Sequence, residues 1–132
     1  FIALLSTIGF STSSFALDLT NCKDQASGSP SAISFNFVFG LHSYANITYK
    51  EGTKTYNGSG YGDEMYTSDR NYNNEITFEG TVIDSQASSA KPSAASKLKI
   101  DLRIFTAKKD KGTAKVEMYK PTQKVLLCTQ TE

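Results

Sequence analysis

The 132-residue chain has no tryptophan, a single histidine, two cysteines, two methionines and three prolines. Each scarcity removes a kind of chemistry. His42 has no second histidine to share a metal with, and a lone histidine at a turn, with no group to orient it, reads as solvated. A Gly-x-Ser-x-Gly nucleophile elbow is absent, as is any paired spacing of metal ligands. The carboxylates do not compensate. Asp63 and Glu64 are adjacent, so extended chain points them to opposite sides. Glu75 and Glu79 share a side but stand ~13 Å apart, beyond the ~5 to 9.5 Å that glycosidase pairs need. The expectation is a protein that is not an enzyme and has no cofactor or metal. The missing tryptophan also weakens a lectin reading. After the first ten residues no apolar run approaches the ~18 residues of a spanning helix, so no transmembrane segment is expected in the mature chain. No apolar stripe recurs at helical spacing either.

What the chain does have is alternation. Leu98, Ile100, Leu102 and Ile104 alternate with Lys97, Lys99, Asp101 and Arg103. A strand has a side-chain period of two, so this stretch is a half-buried strand with one apolar and one charged face. Similar alternation marks strands over 17–22, over 32–39 with Ile33, Phe35, Phe37 and Phe39 inward, over 44–50, over 75–84, over 114–119 and over 124–129. Glu51-Gly52 suits a tight turn, and Asn57-Gly58, the best single hairpin signal from 53 to 74, competes with it for the same short strand. From Thr53 to Asn74, glycines at 58, 60 and 62 dilute the pattern, and this part is expected to be irregular. The segment from Ser85 to Ser96, small and polar around Pro92, reads as a surface loop. The fold class is all-β: an antiparallel meander of about eight strands forming a small closed or nearly closed barrel, with a two-sheet sandwich as the alternative. An outer-membrane barrel with its apolar face to lipid has the same alternation, but its strands run ~9 to 11 residues with aromatic girdles, which the glycine-rich stretch does not offer.

The two ends carry the signals of export. Phe1 to Phe10 is mostly apolar, Ser11 to Ser14 is small and polar, and Ser14-Phe15-Ala16 resembles a cleavage site, so 1–16 is expected to be a signal peptide ahead of one domain over 17–132. With no initiator Met and no basic segment, the sequence is expected to start inside its reading frame; a hydrophobic first strand is the alternative. Cys22 and Cys128 are expected to pair, as two cysteines in a secreted or periplasmic chain do. Leu19-Thr20-Asn21-Cys22 faintly resembles a bacterial lipobox, with Asn21 an ill-suited residue before a lipidated cysteine.

Charge divides along the chain. Residues 17–90 hold nine acids against four bases, and residues 91–132 hold ten bases against four acids. A basic face for an anionic partner is one explanation, and neutralisation by cross-strand pairs between the halves is the other. Nucleic acid is not expected as a partner. Asp69, Asn71 and Asn73 resemble the start of a calcium loop, but Asn74 stands where its glycine belongs and Gly80 where its bidentate glutamate belongs.

Six of the seven tyrosines lie between residues 44 and 72 among Gly, Ser, Asn and Asp. This composition suits recognition and equally suits plain strands and turns. Tyr56, Tyr61, Tyr66, Asp69, Arg70 and Tyr72 are the candidate partner-binding residues. The size, export signal and expected end-to-end disulfide resemble those of small secreted barrels, such as periplasmic inhibitors and calycin-type carriers, in architecture only. Three functions follow as expectations. The first is an exported non-catalytic binding or inhibitor module for a protein or glycan; a carrier of a small apolar ligand and a structural envelope protein are the others.

Overall fold

The structure, a computed structural model, describes residues 15–87, 96–109 and 111–131. Among the described residues eight strands follow one another as an antiparallel meander: β1 (Phe15–Asp24), β2 (Ile33–Phe39), β3 (Tyr44–Glu51), β4 (Lys54–Tyr66), β5 (Asn74–Asp84), β6 (Lys97–Phe105), β7 (Thr113–Lys120) and β8 (Lys124–Thr131). The last strand pairs back with the first, so the sheet closes into a barrel. Closure removes both sheet edges, which decides for the barrel over the sandwich.

Alternation sorts the side chains as the sequence indicates. Leu17, Leu19, Phe35, Phe37, Phe78, Ile100, Leu102, Met118 and Leu126 are all fully buried inside. Phe37 meets Phe78 edge-on at 5.2 Å, and Phe35 lies 5.5 Å from Tyr49. The interior is a packed core. Outside, Lys97 and Lys99 are exposed and Asp101 and Arg103 half-buried on the wall of β6, the reverse of a barrel that presents apolar side chains to lipid. Among the described residues no helix is long and apolar enough to cross a membrane.

The expectation of irregular chain over 53–74 is overturned in its first part. β4 runs unbroken for 13 residues and pairs along its length with β5 and, over its first half, with β3. The glycines permit this strand; they do not dilute it. A Cβ on Gly58 would sit 1.9 Å from the Thr81 carbonyl oxygen, and one on Gly60 would sit 2.0 Å from that of Glu79. Only bare backbone allows β4 and β5 to approach so closely. Asn57-Gly58 therefore lies mid-strand, and the hairpin turns at Gly52-Thr53, with Glu51 opposite Lys54 and Gly52 at φ 65°.

Cys22 and Cys128 form a disulfide across the β1–β8 seam, beside a register shift between Thr20 and Lys23. Residues 1–14 of the expected signal peptide, and most of the expected loop over 85–96, lie outside the described residues. Phe15 and Ala16 form the first rungs of β1, opposite Phe39 and Val38.

Candidate functional site

Antiparallel order gathers four features at one end of the barrel: the start of β1, the turn 40–43, the connection 67–73 and the chain that follows β6. Loops placed together by a rigid scaffold are where recognition is concentrated in folds of this kind. Here they surround a shallow mouth.

The six candidate residues separate in three dimensions. Tyr66 is 94% exposed at the end of β4, and Asp69, Arg70 and Tyr72 follow in the connection, so these four share the mouth end. Tyr61 lies on the outer wall, 66% exposed, edge-on to Tyr44 at 6.0 Å, while the Tyr44 hydroxyl donates to Ser59 Oγ at 2.7 Å. Tyr56 is not on this surface. It occupies the inward series of β4 with Gly58, Gly60 and Gly62, and is buried 5.8 Å from the Tyr49 ring.

The 67–73 connection is ordered by its own polar groups. Thr67 Oγ1 accepts the Asp69 N–H at 3.1 Å, Asp69 Oδ1 accepts the Asn71 N–H at 3.0 Å, and the Asp69 carbonyl accepts the Tyr72 N–H at 3.2 Å. Asn73 N–H then reaches the Thr106 carbonyl at 2.8 Å. The Asp69 carboxylate thus serves a local turn, as short polar side chains commonly do. Among the described residues no three His, Cys, Asp or Glu side chains gather as a metal would need. The loop folds back so that Tyr72 covers Phe105 at 5.6 Å, and the Lys115 ammonium lies 4.4 Å from the Phe105 ring and 5.5 Å from that of Tyr72. An outward Phe105 is buried in this way under one aromatic ring and a lysine stem.

Electrostatics beside the loop tie the two halves of the chain together. Arg103 Nε donates to Glu75 Oε2 at 2.5 Å, across the β5–β6 ladder, and Arg103 also stands 3.9 Å from Glu117. The Glu75 bond holds the Arg103 proton more firmly than in water, raising its pKa. Tyr119 is likewise raised, chiefly by donating to Glu117 Oε1 at 2.9 Å.

Two adjoining clefts open at the mouth. The larger, of about 280 Å³, is lined by Phe39, Gly40, Ser43, Gly62 and Asp63 together with Phe15, Glu64 and Ile76. The smaller, of about 140 Å³, shares those last three residues and adds Leu17, Asn74, Thr106, Lys108 and Gln130 among others. The sequence sets Glu64 aside as half of an adjacent carboxylate pair and does not by its spacing single out Lys108 or Gln130, because the three come from parts of the chain far apart. One signal was available: Gln130 continues the inward series Leu126, Cys128, and a polar residue on a buried face needs a reason.

The fold and its mouth define a class, a small closed barrel with a filled interior and a disulfide joining its first and last strands. No family model matches the chain, and neither a curated protein nor a solved structure matches it.

Proposed function

We propose that the protein is an exported, non-catalytic binding or inhibitor module that engages a protein or glycan partner through the loops at the mouth end of its barrel. The observation that carries this reading is the position of Tyr66: a large aromatic residue is left 94% exposed at a strand end, beside Arg70 and the 67–73 loop. Tyrosine and arginine are the side chains that most often anchor an interface, because they bury large area with few rotamers lost and keep polar tips. The disulfide is compatible with an extracellular or periplasmic protein, and export is part of the proposal. A basic outer wall carrying Lys97, Lys99, Lys120 and Lys124 offers a secondary surface for an anionic partner. A carrier of an apolar ligand is disfavoured, since Phe35, Phe37, Phe78 and Met118 occupy the space such a ligand would need.

The test pairs binding with stability. Immobilised protein is offered secreted or periplasmic proteins and a glycan panel, and the retained partner is titrated against Tyr66→Ala and Arg70→Ala. Both exposed substitutions should weaken the partner by at least ~10-fold, as hot-spot truncations do, while the melting temperature moves by no more than a few degrees. Undiminished affinity in both variants would reject the loop surface.

A further inference from the structure

We propose that the cavity of about 140 Å³ at the mouth is a binding site for a free α-amino acid with a small aliphatic side chain. This site shares only Asn73 with the 67–73 connection and does not depend on loop-mediated recognition. The starting point is Gln130, which is 4% exposed. Its Oε1 accepts the Ala107 N–H at 2.8 Å, and its Nε2 has no acceptor among the described residues. A buried amide donor without an acceptor is costly, so the cavity it lines is where an acceptor belongs.

The rest of the lining sorts by charge. Lys108, on the chain after β6, lines the same cavity and contributes a cation to it. Glu64, on β4, contributes a carboxylate whose Oε2 accepts the Asn74 Nδ2 at 2.6 Å, leaving Oε1 available. No ion pair joins Glu64 to Lys108 among the described residues. Leu17 and Ile76, both buried, form an apolar floor with Phe15 at the lip. One ligand chemistry satisfies all of these groups. A carboxylate accepts from Gln130 Nε2 and Lys108 Nζ, an ammonium donates to Glu64 Oε1, and a short aliphatic chain lies on Leu17 and Ile76. A single ion would find a partner in only one of the two charges of the lining; a zwitterion offers a partner to each. The volume is close to the roughly 150 Å³ of an engineered cavity that admits benzene, a size that suits alanine to leucine.

The experiment titrates the isotope-labelled chain with L-alanine, L-valine and L-leucine and follows the Gln130 side-chain amide and the Ala107 backbone amide by NMR. Saturable shifts at both are expected. N-acetylvaline lacks the ammonium and valinamide lacks the carboxylate, and each should bind at least ~10-fold more weakly, as the loss of one charge-assisted bond implies. Glu64→Gln and Lys108→Gln, at exposed positions where folding is not at stake, should each weaken valine to a similar degree. Absence of any shift, with the cavity holding water only, would overturn the proposal; so would blocked forms that bind as well as valine, or shifts confined to residues 67–72. Such a failure leaves the loop reading standing, because neither Tyr66 nor Arg70 lines the cavity. Conversely, loss of partner recognition in Tyr66→Ala leaves the valine shifts in place.

Discussion

His42 and Ser43 join β2 to β3 with φ of 60° and 62°, two consecutive side chains in the left-handed region. They belong to a three-residue loop, Leu41–Ser43, closed by the Gly40 N–H donating to the Tyr44 carbonyl at 2.8 Å, and left-handed positions in such a loop normally carry Gly or Asn, since other residues each give up roughly 1 to 2 kcal/mol there. Replacing the pair by His42→Asn with Ser43→Gly should stabilise the barrel by ~1 kcal/mol and raise the melting temperature by about 4 °C. A calorimetric scan showing no rise would mean the turn is unstrained. Tyr49 gives a second prediction at this scale. Burial first, then the charge and hydrogen bond of Glu51 at 3.2 Å, push its phenol well above the usual tyrosine range. The folded chain keeps this proton where the unfolded chain has lost it. Stability is therefore complete below the unfolded value of about pH 10 and declines as the pH rises past it. Tyr49→Phe should flatten that alkaline decline in thermal melts; identical slopes for both proteins would refute the assignment.

Among the elements, β4 depends most on single positions. Gly60→Ala places a methyl 2.0 Å from the Glu79 carbonyl oxygen and 2.6 Å from the Gly80 Cα, both backbone atoms that cannot swing aside. The loss should reach ~3 kcal/mol or more, the upper part of the overpacking range. Gly40→Ala is the matching control, for its nearest neighbour would be the Tyr44 carbonyl oxygen at 3.8 Å. Equal denaturation midpoints for the two variants would show that β4 can retreat from β5. The same strand explains why its region was misread from the sequence. Propensity treats three alternate glycines as a break, and only the distance between β4 and β5 reveals that a side chain has no room there. β6 posed no such difficulty, because Leu98 to Ile104 states its buried face directly in the alternation.

For the whole molecule the decisive bond is Cys22–Cys128, which spans a sequence separation of 106 and ties the first strand to the last. Closing so long a loop restricts the unfolded chain by ~4 to 5 kcal/mol in the chain-entropy treatment. Cys22→Ala with Cys128→Ala should therefore lower the urea midpoint while steepening the denaturant dependence, since the released chain expands further on unfolding. An unaltered midpoint would mean that the β1–β8 ladder closes the barrel without help. The opposite charges of the two halves meet at this scale as well. Arg103 bonds Glu75 across β5 and β6, so at least one base of the second half neutralises an acid of the first.

The sequence by itself determined the all-β class, the inward and outward faces of most strands and the cysteine pair, while it left the hairpin at Gly52 in competition with Asn57-Gly58. The class and the faces follow from periods of two, which act between neighbours in the chain, and the pairing follows from there being two cysteines in a chain read as exported. It also marked the tyrosine-rich segment, although alternation alone did not tell which rings the barrel would keep. Tertiary structure decided that the sheet closes, that Tyr56 is core while Tyr66 is bare, and that Glu64, Lys108 and Gln130 share one small cavity. Those outcomes depend on strand register around a closed ring, which brings residues 64, 108 and 130 to the same rim and leaves no trace in the spacing between them.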